Sequence, residues 1–166
     1  MIIAESDLEF NFSDALDIRK FDDPRCHGLS HCMKAIDFIV ELNNAYLFIE
    51  IKDPSNPKSG GCNLQKDKEK LTNGEMLKCL QLKFRDTFIY RWAEEKLDKP
   101  IYFLALITLE QPLLISFNEK LKTALPSSQA NSWQKPLVKS CQVLNLEFWN
   151  RNFPKWQVRR LSTQTN

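Results

Sequence analysis

The chain has 166 residues, of which 43% are hydrophobic, and its formal net charge is +2. This length suits one ordinary domain with a hydrophobic core and is too short for two. A net charge so close to zero neither favours nor excludes a nucleic-acid partner. That question depends on where the charges lie along the chain.

The chain contains no predicted membrane segment. Its first ten residues, MIIAESDLEF, lack the basic and apolar regions of a signal peptide, and the longest apolar run, Ile101 to Leu109, is too short to cross a bilayer. The five cysteines are an odd number without CxxC spacing, which is typical of reduced thiols. We therefore expect a cytoplasmic protein that does not bind membranes through a spanning helix.

The first predicted element is a short strand at residues 7–12, where apolar and polar side chains alternate. The segment from Ser13 to Pro24 is mostly polar and predicts either one helical turn or an irregular connection. Its four acidic residues are candidates for a site, although the sequence does not select among them: they are Asp14, Asp17, Asp22 and Asp23.

The heptapeptide CHGLSHC at residues 26–32 holds both histidines of the chain and two cysteines. Sulfur and imidazole ligands suit zinc, but four ligands packed this closely are poorly spaced for tetrahedral coordination. Two other interpretations remain open: a plain loop, or a loop in which His27 or His31 binds a phosphate or a metal-bound water near Asp37.

The segment from Met33 to Asp53 predicts a β-hairpin whose turn is Asn43-Asn44, because two apolar runs flank a pair of residues that tolerate positive φ. Pairing Leu42 with Ala45 then sets Asp37 opposite Glu50. Since side chains alternate faces, the charged residues fall on one face, and apolar residues fall on the other. The charged face comprises Asp37, Glu41, Tyr46, Glu50 and Lys52, and the apolar face comprises Phe38, Val40, Leu47 and Ile49.

Residues 53–72 are predicted to form a long polar loop, either a solvated mobile insert or a lid that contacts nucleic acid. A capping-box pattern at Thr72 and Glu75 then begins a helix that runs to about Leu97. Its apolar stripe, which we expect to face the sheet, consists of Leu77, Leu80, Phe84, Phe88 and Trp92; Lys78, Gln81 and Arg85 flank it.

The remaining elements extend the same sheet. Ile101 to Leu109 is a continuous apolar run typical of a strand buried on both faces, so the preceding helix is a crossover. A second helix runs from Pro112 to Pro126, and a polar loop covers Ser127 to Pro136. Residues 141–149 alternate as a one-sided strand. The sequence therefore predicts a single α/β domain over 1–166, with a mixed sheet flanked by helices.

The tail, WNRNFPKWQVRRL, interleaves aromatic residues with arginines and a lysine. Such a pattern is used to stack bases and neutralise phosphates. It is also compatible with an ordinary C-terminal strand whose aromatics pack and whose arginines face water, and the sequence favours this second interpretation.

The carboxylates and the lysine on the charged face of the hairpin are suited to metal binding. An Asp and a Glu on neighbouring strands supply the oxygen ligands that Mg²⁺ prefers, and a bound metal activates water for hydrolysis. Lys52, two residues beyond Glu50, is on the same face and can stabilise charge that develops on a phosphate. These residues predict phosphodiester hydrolysis.

Asp37, followed after twelve residues by Glu50-Ile51-Lys52 on a hairpin, resembles the PD-(D/E)xK superfamily of restriction-endonuclease-like nucleases over residues 33–109. The resemblance implies a restriction-endonuclease-like core at about 33–125. It also implies Asp37, Glu50 and the carbonyl of Ile51 as ligands of Mg²⁺ or Mn²⁺, and Lys52 as a catalytic residue. Gln81 matches a polar residue that many members place on the following helix. Here Ile36 replaces the proline, and the usual N-terminal acidic helix is missing.

The resemblance implies nucleic acid, in the first place DNA, as the partner. It leaves a second interpretation open, in which the chain is a catalytically inactive subunit or adaptor with the nuclease fold. Such a subunit binds a protein partner or nucleic acid, or forms a homodimer.

Overall fold

The computed structural model describes residues 1–59, 62–127 and 131–164, and it is a mixed α/β structure with two sheets. The larger sheet has the strand order β3-β4-β5-β6-β7, and the smaller has the order β1-β2-β8. The strands are β1 (Ile2–Glu5), β2 (Leu8–Phe12), β3 (Asp17–Lys20), β4 (Phe38–Glu41), β5 (Tyr46–Lys52), β6 (Ile101–Ile107), β7 (Ser140–Leu144) and β8 (Trp156–Arg160). The helices are α1 (Pro24–His27), α2 (Cys62–Asn73), α3 (Glu75–Ala93), α4 (Gln111–Ala124) and α5 (Leu146–Asn152).

The predicted hairpin is confirmed as β4 and β5, in the predicted register. Val40 pairs with Leu47 and Phe38 with Ile49, and the Leu42 N–H donates to the Ala45 carbonyl at 2.9 Å. Asn43 and Asn44 are the two turn residues, so the side chains of β4 and β5 alternate between the two faces of the hairpin as predicted. The apolar face of the hairpin packs toward the smaller sheet, and the other face packs toward α3 and α4.

The predicted crossover is also confirmed. The chain leaves β5, passes through α2 and α3, and returns as β6 parallel to β5, with β7 parallel to β6. Strand β6 is buried on both faces, as its unbroken apolar sequence predicts. Helix α4 follows β6 with Pro112 in its first turn, where the missing N–H of proline has no helical partner to lose.

Residues 13–24 differ from the prediction. Instead of a helical turn or an irregular connection, they contain β3, which pairs antiparallel with β4 from Asp17–Glu41 to Lys20–Phe38. Strand β3 lies at the edge of the larger sheet, and Arg19 and Lys20 are exposed. An edge strand with charged side chains lacks the apolar alternation that identifies most strands, which is why sequence reasoning missed it.

The predicted polar loop at 53–72 contains helix α2 from Cys62 onward, and Leu64 and Leu71 of this helix pack against the core. The sequence analysis missed α2 because two apolar residues among many lysines give no clear helical periodicity.

The predicted capping box is wrong: Gly74, at φ 87°, separates α2 from α3, and the Asn73 side chain accepts from the Glu75 N–H at 2.9 Å. Helix α3 ends at Ala93, before the predicted end at Leu97.

The predicted strand at 141–149 is right only in its first half. Strand β7 ends at Leu144, and α5 begins at Leu146 because the Asn145 side chain accepts from the Phe148 N–H at 2.9 Å. Part of the predicted loop after Ser127, residues 128–130, lies outside the described residues. Within the described part of the chain, no helix has both the length and the apolar character needed to cross a bilayer.

Candidate functional site

The two predicted carboxylates lie side by side on the hairpin face that packs against α3. Asp37 immediately precedes β4 and is 6% exposed, while Glu50 lies in β5 and is fully buried. The backbone N–H of Ile51 donates to Asp37 Oδ2 at 2.6 Å, which ties the Asp37 side chain to β5. The hairpin register therefore brings both acids together as the sequence predicts.

Lys52 is the third predicted site residue, and it joins this group. Its ammonium donates to Glu50 Oε1 at 2.5 Å, and its side chain is 28% exposed. Residues two apart on a strand share a face, so this contact is a direct consequence of the Glu50-Ile51-Lys52 spacing.

Lys83 on α3 is a further member that the sequence analysis missed. Its Nζ donates to Glu50 Oε1 and Oε2 at 2.7 and 2.8 Å and to Asp37 Oδ1 at 3.3 Å, so one ammonium bridges both carboxylates. Lys83 follows Leu80 by three residues and precedes Thr87 by four, and both neighbours are buried. This helical spacing on the inward face was the signal for Lys83.

Gln81, the predicted polar residue of the helix, is placed elsewhere. Its side-chain amide donates to the carbonyl of Ala124 at 3.0 Å, so it links α3 to the end of α4 and not to the hairpin. A position two residues from Lys83 on a helix lies about 200° around the axis, which explains why only one of the two side chains reaches the carboxylates.

Helix α3 also holds the segment that precedes Asp37. The Lys34 N–H donates to Asp86 Oδ2 at 3.0 Å, and the Ile36 N–H donates to Thr87 Oγ1 at 3.2 Å. Asp86 and Thr87 are both buried. The same helix thus fixes the backbone that carries one carboxylate and supplies the ammonium that bridges the two.

Asp22 is the acidic residue from the N-terminal stretch that approaches the site. The Phe21 N–H donates to the Asp37 carbonyl at 2.8 Å, which places the end of β3 beside Asp37. Asp22 Oδ1 is buried without a hydrogen-bond partner among the described residues. Burial raises the pKa of Asp22, and the nearby charge of Asp37 raises it further.

The pKa of Glu50 is also raised, first by burial and then by the charge of Asp37, while Lys52 and Lys83 oppose the rise. Burial by itself would lower the pKa of Lys83, but the carboxylates of Glu50 and Asp37 outweigh it and raise that pKa. The Lys83 ammonium therefore stays charged, and it is the counter-ion that makes the buried acids tolerable.

The backbone after Lys52 is held by a second group of ions, which we call the Arg160 cluster: Asp7, Asp53 and Arg160. The Lys52 carbonyl accepts from the Thr108 N–H at 3.0 Å, and the Thr108 hydroxyl donates to Asp53 Oδ1 at 2.7 Å. Both Asp53 oxygens accept from the Arg160 guanidinium, at 2.8 and 3.1 Å.

The second half of the C-terminal aromatic and basic segment forms β8, which pairs with β2, whereas residues 149–152 belong to α5. Arg159 donates to Glu9 at 2.6 Å, and Arg160 belongs to the Arg160 cluster, so these two arginines have carboxylate partners within the chain. Trp156 packs on Phe153 with the ring centroids 4.9 Å apart. The ordinary strand that the sequence favours is therefore present from Trp156 onward, with its aromatic side chain packed, but Arg160 is 16% exposed and pairs with Asp7 and Asp53 instead of facing water.

The heptapeptide at 26–32 contributes thiols that hydrogen-bond to backbone. Cys26 Sγ donates to the Lys20 carbonyl at 3.0 Å, and Cys32 Sγ donates to the Leu29 carbonyl at 3.6 Å. The side chain of His27 lies outside the described residues. His31 is exposed.

The donor chemistry at Asp37 and Glu50 fits a divalent metal. Mg²⁺ is commonly held by one or two carboxylates together with water and substrate phosphates, and these two acids supply hard oxygen donors. Within the residues that the structure describes, no group of three or more His, Cys, Asp or Glu side chains is arranged to hold a metal. Asp22 therefore does not complete a three-acid set here, and a metal between Asp37 and Glu50 would have to displace the Lys83 ammonium from its bridging position between the two acids.

We found no match of the chain to a protein-family model, to a curated protein or to a solved structure.

Proposed function

We propose that the protein is a metal-dependent phosphodiester hydrolase that cleaves nucleic acid, with DNA as the first substrate to test. The observation that carries the proposal is the convergence of Asp37, Glu50 and Lys52 on one face of the hairpin, with Lys83 between the acids. Burying two acids and their lysine counter-ions carries a desolvation cost, and active sites are where such groups gather.

In this proposal Asp37 and Glu50 hold Mg²⁺ or Mn²⁺, with the carbonyl of Ile51 as a further ligand. The bound ion would lower the pKa of a water molecule and offset phosphate charge. Of the two lysines, Lys52 is the more exposed, at 28% against 16% for Lys83. We assign Lys52 to the incoming phosphate, whose developing charge it stabilises, and Lys83 to the orientation of Glu50.

The test is cleavage of end-labelled single-stranded DNA, double-stranded DNA and RNA, with Mg²⁺ or Mn²⁺ and with a chelator. We expect metal-dependent cleavage that falls about 10²- to 10³-fold in Lys52→Ala, because one charge-stabilising donor is lost. Asp37→Ala and Glu50→Gln should abolish it. The matched control is Glu41→Gln, since Glu41 lies on the same hairpin face but pairs with Lys99 at 2.6 Å.

Cleavage at the wild-type rate in Lys52→Ala, or any cleavage in Asp37→Ala, comes from a contaminant and contradicts the proposal. A purified protein that cleaves none of the three substrates and binds no Mn²⁺ by calorimetry also contradicts it.

A second candidate function is a catalytically inactive subunit or adaptor with the same core. The observation that favours it is the position of Lys83, whose ammonium satisfies both carboxylates without a metal. A structural ion pair of this kind holds α3 on the hairpin and needs no catalytic role. Metal binding distinguishes the hydrolase from the inactive subunit, because only the hydrolase has to bind Mn²⁺ between Asp37 and Glu50.

A further inference from the structure

A groove runs along the outer side of α3, away from the two carboxylates. It consists of two adjoining depressions, of about 450 and 590 Å³, which share Phe88 and Leu137. We call it the α3 groove. Its floor is formed largely by apolar side chains from α3, from the start of β6 and from the segment after α4; they include Phe84, Phe88, Leu97, Ile101, Leu125 and Leu137.

The first of these depressions lies at a different level of the larger sheet from the carboxylate site, which is the group formed by Asp37, Glu50, Lys52 and Lys83. The groove reaches Ile101, the first residue of β6, whereas Glu50 pairs with Ala105, four residues further along that strand. Four steps along a strand separate the two levels by roughly 13 Å. The second depression is lined by Gln81, which lies on the other side of α3 from Lys83, and neither depression is lined by a residue of the carboxylate site. The groove is therefore a surface of its own.

Large apolar side chains on the same helix are exposed beside this groove. Trp92 is 67% exposed and Ile89 is 46% exposed, and both line it. The sequence predicted that Trp92 faces the sheet, but the structure turns it outward because Arg91 takes the inward position and is 3% exposed. An exposed tryptophan next to an apolar depression is typical of a binding surface.

The charges around the α3 groove are mostly positive. The ammonium groups of Lys78, Lys135 and Lys139 have no ion pair or hydrogen bond with another residue in the described part of the chain. Asp98 is the one carboxylate among the described lining residues, and it already accepts from the Tyr46 hydroxyl at 2.7 Å. The groove thus offers uncompensated positive charge around an apolar floor.

We infer that the α3 groove is a docking site for an acidic amphipathic peptide segment of a partner protein. Apolar anchors of the peptide fill the depressions beside Phe88 and Trp92, and its carboxylates pair with Lys78, Lys135 and Lys139. A nucleic-acid strand stacks successive bases on several exposed aromatic faces, but Trp92 is the one exposed aromatic side chain among the described lining residues. The rest of the floor is concave and apolar, which favours peptide side chains. The inference goes beyond the proposed hydrolase and holds whether or not the protein cleaves nucleic acid.

The test selects random 16-residue peptides by phage display against the full chain, and then measures binding of labelled synthetic peptides by fluorescence anisotropy. We expect the selected peptides to combine Asp or Glu with aromatic or large aliphatic residues. Trp92→Ala and Lys135→Glu should each weaken binding about 10-fold or more, because one removes an anchor contact and the other reverses a pairing charge.

The matched controls are Ile115→Ala on α4 and Lys66→Glu on α2, both exposed in the structure and outside the groove lining, and they should bind as the wild type does. Glu50→Gln should also bind normally, which separates this test from the test of cleavage.

Several outcomes would overturn the inference. They are selection of no peptide, selection of basic or purely apolar peptides, and binding that Trp92→Ala and Lys135→Glu leave unchanged. Labelled single- or double-stranded DNA that binds the wild type and is lost in these two variants would assign the groove to nucleic acid instead. A dimer detected by analytical ultracentrifugation that disappears in Trp92→Ala would assign it to a second copy of the chain.

Discussion

The molecule contains two buried groups of ions that are built differently. In the Arg160 cluster, the planar guanidinium donates to both oxygens of Asp53 at 2.8 and 3.1 Å, and the Ser162 hydroxyl donates to Asp7 at 2.6 Å. At the carboxylate site, the donors are the ammonium groups of Lys52 and Lys83, which act as point charges without a fixed fork. Both clusters bury acids, but only the first matches them with a donor of complementary shape.

The difference shows what each cluster can do. Arg160 connects β8 to the segment that follows β5, and its hydrogen bonds match the geometry of a carboxylate, so it suits a permanent structural role. Each cluster leaves one carboxylate oxygen without a hydrogen-bond partner among the described residues, Asp7 Oδ1 in the first and Asp22 Oδ1 beside the second, but Lys58 Nζ lies 3.6 Å from Asp7 Oδ1. At the carboxylate site, one Lys83 ammonium serves two acids. In the proposed function a compact cation such as Mg²⁺ would take over the role of that ammonium, and the second cluster is therefore the one we propose for ligand binding.

The largest expected effect concerns the Arg160 cluster. Arg160→Ala should lower the free energy of unfolding by about 3 kcal/mol, because it leaves Asp53, which is 2% exposed, without its bidentate partner. Urea denaturation gives the value. The neighbouring Arg159→Ala is the matched control: Arg159 is 57% exposed, and its pair with Glu9 should contribute below about 1 kcal/mol. Equal losses of unfolding free energy in the two variants would show that Arg160 does not stabilise the contact between β8 and the segment after β5.

An intermediate effect concerns Lys83. Without divalent metal, Lys83→Met should lower the free energy of unfolding by about 2 kcal/mol, since Glu50 keeps Lys52 as its remaining partner. If the site binds metal, the variant should bind Mn²⁺ more tightly than the wild type, and Mn²⁺ should recover part of the lost stability. Urea denaturation and calorimetry with Mn²⁺ measure the two effects.

Lys99→Met is the control for Lys83→Met, because Lys99 is also largely buried and pairs with Glu41 on the same hairpin face. Mn²⁺ should not recover its stability. A Lys83→Met variant that is destabilised and binds no Mn²⁺ would support the inactive subunit and exclude the hydrolase.

The sequence predicted the hairpin, its register and the convergence of Asp37, Glu50 and Lys52. Two short apolar runs and a two-residue turn determine the register, and the alternation of side chains along each strand then determines which residues share a face. It also predicted the buried strand β6 and helix α4, whose apolar runs are long or strongly periodic. These elements form the centre of the larger sheet and its covering helix.

The sequence did not predict features that depend on tertiary contacts. Strand β3 forms by pairing with the edge of β4, and its own sequence lacks the alternation of apolar and polar residues that predicts a strand. The choice of Lys83 over Gln81 depends on the rotation of α3 about its axis, which the packing of Leu80 and Thr87 sets. Asp22 reaches the site only because β3 ends beside Asp37. In each case the deciding contact joins residues far apart in the chain.

The smallest expected effect concerns Asp22. Its pKa is raised by burial and by the charge of Asp37, so the folded protein holds a proton on Asp22 more tightly than the unfolded chain does. The ionised form therefore destabilises the fold. This destabilisation is absent below the ordinary pKa of 3.8, and it develops as the pH rises through the raised value of the folded state. Asp22→Asn removes it.

Asp22→Asn should consequently raise the free energy of unfolding by about 0.5 kcal/mol at pH 7 in the absence of metal, a small gain because solvent screens a half-buried charge. The gain should vanish near pH 3. Urea denaturation at the two pH values checks this, with Asp14→Asn as the control on an exposed aspartate. A loss of stability at pH 7 would mean that the Asp22 carboxylate has a favourable partner. Every acid at the carboxylate site would then have a favourable partner, as Asp7 and Asp53 have in the Arg160 cluster, and the contrast between the two would fail.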